Sequence, residues 1–438
     1  MSGDSTTIEP RPDRELSAAE EGAPGWKRTL WVMWAAQMVA ILGFSFVLPF
    51  LPFYIRQLGV GDDHAVLLWT GALGSVVSIA FAIAAPLWGI VADRYGRRKM
   101  VLRAMVGGAL VLSAMGMVTS VQQLLYLRLL QGIMTGTIGA SIAMVSAMTP
   151  RRHLGYALGL MQTAVLTGSA TGPWLGGMMA DAMGYRWPFV VSGGMCLVAA
   201  GVVLLFTREY FVPPPLEQAR QESTLQLVRA APGFTTMLGI FFLVGLAGTI
   251  VVPIFPLFVE RLNGQAHLNT ITGTIIGIAG VTEGIAAVTI GRLSDRMGQK
   301  KILVGCTFAS GLMCAPQAIA TSVGQLFALR GALGLAGGGT APTINALVGR
   351  LMPEGSYGRM FGLTSSMAAL GGGLGPMLGG LLAVRIGLQW PFVVVGAMLV
   401  LISGLAALRV VEPHHWPAPT EEEECAEAEG VESVETVA

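Results

Sequence analysis

Charged side chains are scarce in this chain. They make up 12% of its 438 residues, whereas about a quarter is usual in globular domains, and 53% of the residues are hydrophobic. Four stretches, residues 29–55, 65–92, 104–127 and 230–259, contain no charged residue. Each is longer than the roughly 20 residues that cross the hydrocarbon core of a bilayer as a helix. The composition therefore excludes an ordinary water-soluble protein and predicts a membrane protein.

The chain also lacks the residues that several kinds of chemistry need. Its four cysteines form no C-x-x-C pair, so neither a disulfide framework nor a zinc site is expected. No histidine lies in a predicted membrane helix, and no nucleophile–base cluster is present. ATP is not expected as the energy source because no G-x-x-x-x-G-K-[ST] sequence occurs. We therefore predict no enzyme, no bound cofactor or metal, and no nucleic-acid partner.

The apolar stretches add up to twelve predicted helices. The other eight cover residues 129–150, 156–180, 187–207, 268–290, 302–329, 331–349, 360–384 and 386–408, with Arg128 and Arg330 placed inside helices 4 and 10. Helices are favoured because backbone polar groups must bond within the segment in lipid, and no barrel-like alternation is present. The predicted fold class is an all-α membrane protein with twelve transmembrane helices.

The two halves of the chain repeat each other. The charged sequence GIVADRYGRRKMVL, residues 89–102, returns as GRLSDRMGQKKIL at residues 291–303, an offset of 202. Other pairs keep the same order at offsets of 202–204: Pro49 with Pro253, Arg128 with Arg330, Gly172 with Gly375, and Trp187 with Trp390. Such self-similarity indicates two six-helix bundles, residues 29–207 and 230–410. Residues 208–229 are then a linker, 1–28 a disordered tail and 411–438 an acidic tail.

Lys and Arg are distributed unequally between the two sets of loops. The odd loops contain only Arg56, Arg186, Arg261 and Arg385, whereas the even loops contain sixteen basic residues. By the positive-inside rule the even loops and both termini are expected to be cytoplasmic. We predict a multi-pass protein of the cell (inner or plasma) membrane.

These motifs together resemble the major facilitator superfamily over essentially residues 27–410. G-x-x-x-D-R-x-G-R-R is similar to the signature loop of that family. The glycine- and proline-rich run of helix 5 is similar to the motif of its antiporters, and Arg128 with Gln131 resembles the helix-4 motif linked to proton coupling. Leu42-Gly43 followed by Pro49 and Pro52 resembles the helix-1 pattern of twelve-helix drug:proton antiporters.

The resemblance implies that the charged loop is a cytoplasmic latch between the halves, docked on helix 11. A carboxylate beside several arginines at a helix end can pair with them and face a neighbouring helix N-terminus. Basic residues alone would serve only as a topology anchor, and Gly89 and Asp93 favour the latch. The latch residues are Gly89, Asp93, Arg94, Gly96, Arg97, Arg98, Asp295 and Arg296. The antiporter-type run comprises Gly168, Gly172, Pro173, Gly176 and Gly177, and close helix packing is its alternative role.

Glu283 and Arg128 are the charged residues expected deepest in the membrane. Glu283 lies twelve residues before Asp295, roughly 18 Å along the helix and near the bilayer centre. Intramembrane charges are costly and usually functional, so we predict that Glu283 carries the proton with Arg128 and Asp93 as coupling partners. The alternatives are a structural carboxyl and a snorkelling arginine. Many relatives have an acidic residue in helix 1, where this chain has only Gln37.

The resemblance also implies that helices 1, 4, 7 and 10 line a substrate cavity. The candidate contacts are Met33, Gln37, Phe44, Gln131, Gln162, Phe241, Glu283 and Asn345. A few polar groups among apolar ones suit amphipathic molecules better than sugars. The expected function is export of hydrophobic or amphipathic drugs by a monomer, in exchange for protons, through rocking of the two halves. The alternative is a proton-coupled symporter or a facilitator for a sugar or another small metabolite.

Overall fold

A computed structural model describes residues 25–150, 153–209, 233–351 and 357–410. Within these ranges the chain forms twelve helical passes, α1–α12. In the N-terminal half, α1 comprises Trp26–Ser45 and Leu51–Gln57, α2 is Asp63–Tyr95, α3 is Arg97–Met115, α4 comprises Val121–Met134 and Thr137–Met148, α5 is Leu154–Met183, and α6 is Arg186–Phe206. The linker and both tails lie almost wholly outside the described residues. The first helix begins at Trp26, three residues before the predicted boundary.

The C-terminal half repeats this arrangement. There α7 comprises Phe234–Ile250 and Phe255–Asn263, α8 is Leu268–Met297, α9 is Gln299–Cys314 with a 3-10 turn at Ala315–Ile319, α10 comprises Val323–Gly337 and Thr340–Leu351, α11 is Tyr357–Ile386, and α12 is Trp390–Arg409. Eight stretches of the described chain are long and apolar enough to cross a membrane. They fall on α2, α4, α6, α7, α8, α9, α11 and α12, and the other four passes are helices at the predicted positions.

Every third pass is interrupted. The gaps lie at residues 46–50, 135–136, 251–254 and 338–339, in α1, α4, α7 and α10. Pro49 and Pro253 stand in two of these gaps, where a proline removes a backbone donor from the helix. In α4 the first segment ends at Thr135, which is extended, and Gly136 has a φ of +129° that favours glycine. The sequence analysis did not predict the interruptions in α4 and α10.

Glycines set how closely the passes approach one another. A Cβ on Gly168, Gly172 or Gly176 would meet the backbone of α1 at 2.8 Å or less, so this face of α5 packs inside its own half. The adjacent Gly177 instead faces Asn269 of α8 in the other half. The equivalent glycines of α11 pack in the same way. Gly379 packs on Ile250 of α7 in its own half, and Gly380 packs on Leu67 of α2 in the other half. The two halves therefore meet along α5–α8 and α2–α11.

Among the described residues, the contacts between the halves lie in the part of the bundle nearer one end. We call it the odd-loop end, because it carries the loops α1–α2, α5–α6 and α7–α8, and the opposite end is the even-loop end. A buried apolar cluster at the odd-loop end contains residues of both halves, among them Tyr54, Phe189, Phe258 and Phe392. Two further clusters lie toward the even-loop end, one within each half. In the described part of the chain, the cluster shared by the halves thus lies toward one end, and the clusters toward the other end lie within single halves.

Candidate functional site

An ion pair links the halves at the odd-loop end. Arg56, at the end of α1, donates to both carboxylate oxygens of Glu260, at the end of α7, at 2.8 Å. The same guanidinium also pairs with Asp63 at 2.8 Å. Burial would lower the pKa of Arg56, but the hydrogen bonds and charges of Glu260 and Asp63 outweigh it and raise that pKa above its ordinary value. The pair holds the outer ends of α1 and α7 together.

Asp181 makes a second link at the same end. Its carboxylate, near the end of α5, accepts hydrogen bonds from the backbone amides of Asn269 and Thr270 at 3.3 and 2.8 Å. It also accepts from the side chains of both residues, each at 2.6 Å. These residues form the first turn of α8, where unpaired amides and the helix dipole favour a negative charge. Asp181 therefore caps a helix that belongs to the other half.

The even-loop end shows no comparable closure. Of the four passes that meet at the odd-loop end, three carry glycines near the other end and one carries a glycine about midway: Gly89 in α2, Gly155 and Gly159 in α5, Gly362 in α11, and Gly284 midway along α8. A Cβ at any of these positions would meet none of the described residues within 4 Å, whereas one on Gly177 or Gly380 would meet the other half. We call this less closely packed side of the bundle the gap.

The charged loop between α2 and α3 contacts its own half. Glu209, just after α6, accepts the backbone amides of Arg97 and Arg98 at 2.8 and 2.9 Å, at the start of α3. The Arg98 side chain donates to Thr207 and to the carbonyl of Leu204. Gly96 has a φ of +98° and separates α2 from α3. The loop is thereby tied to the end of α6.

The other residues of the predicted latch make no contact with the opposite half among those described. The Arg94 guanidinium lies over the ring of its neighbour Tyr95, and Arg296 is exposed. The side chains of Asp93 and Asp295 lie outside the described part of the structure. The latch stays a prediction.

Arg128 borders a cavity between the halves. The cavity has a volume of about 70 Å³. The Nη1 group of Arg128 donates to Oε1 of Gln131 at 3.2 Å, and its buried Nε has no partner in the described part of the chain. Arg128 is the only charged residue of the lining, which otherwise comprises Phe44, Val47, Leu48, Leu51, Thr70, Gly74, Val252, Pro253 and Pro376.

The equivalent arginine of the second half has a different environment. The guanidinium of Arg330 lies 4.1 Å from the ring centroid of Phe255, within range of a cation–π interaction. The residue that corresponds to Phe255 in the first half, at the offset of 204, is Leu51, which has no aromatic ring. Arg330 therefore stacks on a neighbour, whereas Arg128 faces a cavity.

Glu283 lies where the halves separate. It is eleven residues, three helical turns, beyond Thr272, so the two side chains share one face of α8. Thr272 is fully buried near the odd-loop end, whereas Glu283 is exposed. Val281 and Ile285, both exposed apolar residues, lie about 160° around the helix from Glu283. The carboxyl group thus faces the interior and borders the gap.

The structure does not place Met33 and Gln37 on the cavity wall. Met33 is fully buried in the apolar cluster of the first half. Gln37 is also fully buried, and its amide bonds to Ser141 at 2.9 Å and Thr137 at 3.4 Å in the second segment of α4. Both are buried packing residues in this conformation, and their contact with substrate stays a prediction.

The other candidate substrate contacts have different surroundings, since some line or adjoin the Arg128 cavity and others are exposed or packed elsewhere. Phe44 lines the Arg128 cavity and Gln131 is buried beside Arg128. Gln162 and Asn345 are exposed, and Phe241 packs partly against the cluster of the second half. The sequence analysis missed the pairing of Arg56 with Glu260. A signal was present, because opposite charges occupy positions 204 residues apart, the offset of the flanking prolines.

Comparisons with known proteins agree with this architecture. The family model described as Major Facilitator Superfamily matches residues 33–281 and 237–433. The chain is 34% identical over 327 residues to "Multidrug resistance protein MdtG" of Serratia proteamaculans, covering 74% of this chain and 79% of that protein. It is 33% identical to the protein of that name from Proteus mirabilis, over 74% of this chain and 81% of the relative.

Solved structures share the fold at low sequence identity. A bacterial homologue of the human lysosomal transporter Spinster, described as inward-facing and occupied, superposes with a TM-score of 0.73 at 14% identity. It covers 94% of this chain and all of that one. The human organic anion transporter MFSD10 gives a TM-score of 0.66 at 18% identity, with 87% of this chain and all of that chain covered.

Proposed function

The chain belongs to the major facilitator superfamily, and we propose that it exports hydrophobic and amphipathic drugs in exchange for protons. The similarity to relatives named multidrug resistance protein carries this proposal. The geometry supports it, because an interior cavity with few polar groups lies between two halves whose described contacts lie toward one end. Such a site suits bulky apolar molecules.

The proposal includes an orientation. The even loops hold most of the basic residues, so the even-loop end faces the cytoplasm of a bacterial cell and the odd-loop end faces outward. In that orientation the molecule is closed to the outside by Arg56–Glu260 and by Asp181, and it is open inward. Export then requires the halves to rock apart at the odd-loop end and to close at the other.

Glu283 is the proposed proton carrier. It is exposed to the inward gap, and its position about midway along α8 brings it to both sides of the barrier in turn as the halves rock. Arg128 is the proposed coupling partner, and Asp93 belongs to the latch that closes the cytoplasmic side. The proton gradient supplies the energy, no cofactor takes part, and one chain forms the complete transporter.

Proton release from purified protein tests the exchange. Drugs of positive, negative and zero charge are added in weakly buffered detergent solution to wild type, Glu283→Gln and the control Asp62→Asn, an exposed carboxylate that caps α2. We expect release from wild type and the control and none from Glu283→Gln, with drug binding retained. Release from all three would move the proton to another carboxylate. Drug binding without release in any of them would overturn proton exchange.

A further inference from the structure

We propose that Arg128 forms an anion subsite, so that the preferred substrates are amphiphiles with a negatively charged head and an apolar body. This inference rests on the proposed export function and names its substrate class. The head would enter the Arg128 cavity and accept hydrogen bonds from the guanidinium. The body would lie along the apolar residues on both sides of the cavity.

Arg128 has no counter-ion among the described residues. No carboxylate of the described chain lies within 4.0 Å of the nitrogens of Arg128, since the ion pairs found there all involve Arg56. Among the described residues, the guanidinium donates a hydrogen bond only to the neutral amide of Gln131, and its buried Nε has no partner there. Burying a charge in apolar surroundings without a partner costs free energy. The negatively charged head of a substrate would be such a partner for Arg128.

The cavity beside the Arg128 guanidinium is large enough for a charged head group. A cavity of about 70 Å³ exceeds several times the ~10–15 Å³ that one water needs on the same measure, so a carboxylate or sulfonate head fits. The lining near Arg128 consists of apolar side chains such as Phe44, Leu51 and Val252. The only other side-chain polar group is the hydroxyl of Thr70, whose hydrogen is already donated to Val66. A single charged head with an apolar body matches this distribution.

Arg128 and the equivalent arginine of the second half have different surroundings. Arg330 occupies the same position in the second half, but its guanidinium stacks on Phe255. Arg128 has Leu51 in place of that ring, and Leu51 lines the cavity instead. The buried Nε of each arginine has no partner among the described residues, but Arg330 stacks on an aromatic ring whereas Arg128 lines a cavity. Arg330→Gln is therefore the matched control for Arg128→Gln.

Three probes with the same tail test the subsite. Decane-1-sulfonate, decyltrimethylammonium and decanol are titrated into the full chain in phosphatidylcholine nanodiscs, with empty nanodiscs as blanks, and binding is followed by tryptophan fluorescence. In wild type we expect the sulfonate to bind at least about tenfold more tightly than decanol, the scale of a hydrogen bond to a charged group. Arg128→Gln should abolish this preference and leave decanol binding unchanged. Arg330→Gln should keep it.

Arg128→Lys keeps the proposal testable if Arg128→Gln does not fold. It retains the positive charge, so it should bind the sulfonate more tightly than decanol, though by less than wild type. Equal binding of the three probes by wild type, tighter binding of the ammonium probe, or an undiminished preference in Arg128→Gln would each overturn the subsite. Because proton release is not measured here, an anion preference without drug-induced proton release would refute only the exchange proposal.

Discussion

At the scale of single residues, Trp88 and Arg103 support the interruption in α4. The Trp88 indole donates a 2.7 Å hydrogen bond to the carbonyl of Ile133, in the last turn before the gap at 135–136. The Arg103 guanidinium stacks 3.4 Å from the centroid of the same ring. Carbonyls at the end of a helix have no partner within it, so the indole satisfies one of them. The interruption thus has a specific partner in α2.

Trp88→Phe should destabilise the protein by about 1 kcal/mol, because it keeps a ring for Arg103 and removes the hydrogen bond. Trp88→Ala removes the ring as well and should cost about 3–5 kcal/mol. Thermal unfolding in detergent measures both. Trp187→Phe is the control, since Trp187 is 51% exposed at the start of α6 and should tolerate the change. Equal effects of Trp88→Phe and Trp187→Phe would refute the supporting role.

At the scale of helices, the glycine run of α5 serves two interfaces. Three of its glycines face α1, whereas Gly177 faces Asn269 across the halves, and Gly380 of α11 faces Leu67 in the same way. The packing of α5 on α1 lies within one half. The packing at Gly177 and Gly380 must break when the odd-loop end opens. A methyl group at either of these positions therefore acts on the conformational equilibrium.

Gly177→Ala and Gly380→Ala should shift the population toward an open odd-loop end. A Cβ on Gly380 would lie 2.6 Å from the Leu67 carbonyl oxygen, and one on Gly177 would clash with Asn269. Spin labels at Gln122 and Gln265, one on each half, should report longer distances in both variants. Gly201→Ala, which meets no atom within 4 Å, should leave the distances unchanged. The same distances in all four proteins would contradict the prediction.

At the scale of the whole molecule, the sequence predicted the repeated architecture better than the site. Twelve passes and two halves followed from apolar length and from offsets of 202–204, because lipid forces nearly every spanning segment to be a helix. The direction in which each polar side chain points could not be derived from the sequence. Gln37 looked available in helix 1, but Ser141 and Thr137 bind it from a pass that only the folded bundle brings near. The Arg128 cavity likewise depends on residues from five passes.

The pairing of Arg56 with Glu260 joins equivalent positions of the two halves, and both side chains are only partly exposed, at 29% and 19%. Breaking it with Arg56→Glu should cost the closed odd-loop end about 1 kcal/mol, a roughly fivefold change in the ratio of closed to open molecules. The labels at Gln122 and Gln265 would show this as a larger long-distance fraction. The reversed pair Arg56→Glu with Glu260→Arg should restore closure only in part.

Restoration is partial because Asp63, which now pairs with Arg56, would face the new carboxylate. Adding Asp63→Asn to the reversed pair removes this repulsion and should return the distances to those of wild type. If the pair acted only by packing, the triple variant would stay as open as Arg56→Glu alone. If Asp181 alone closed this end, through its bonds to Asn269 and Thr270, none of these variants would differ from wild type. The series therefore separates an ion pair between the halves from a closure made by a single capped helix.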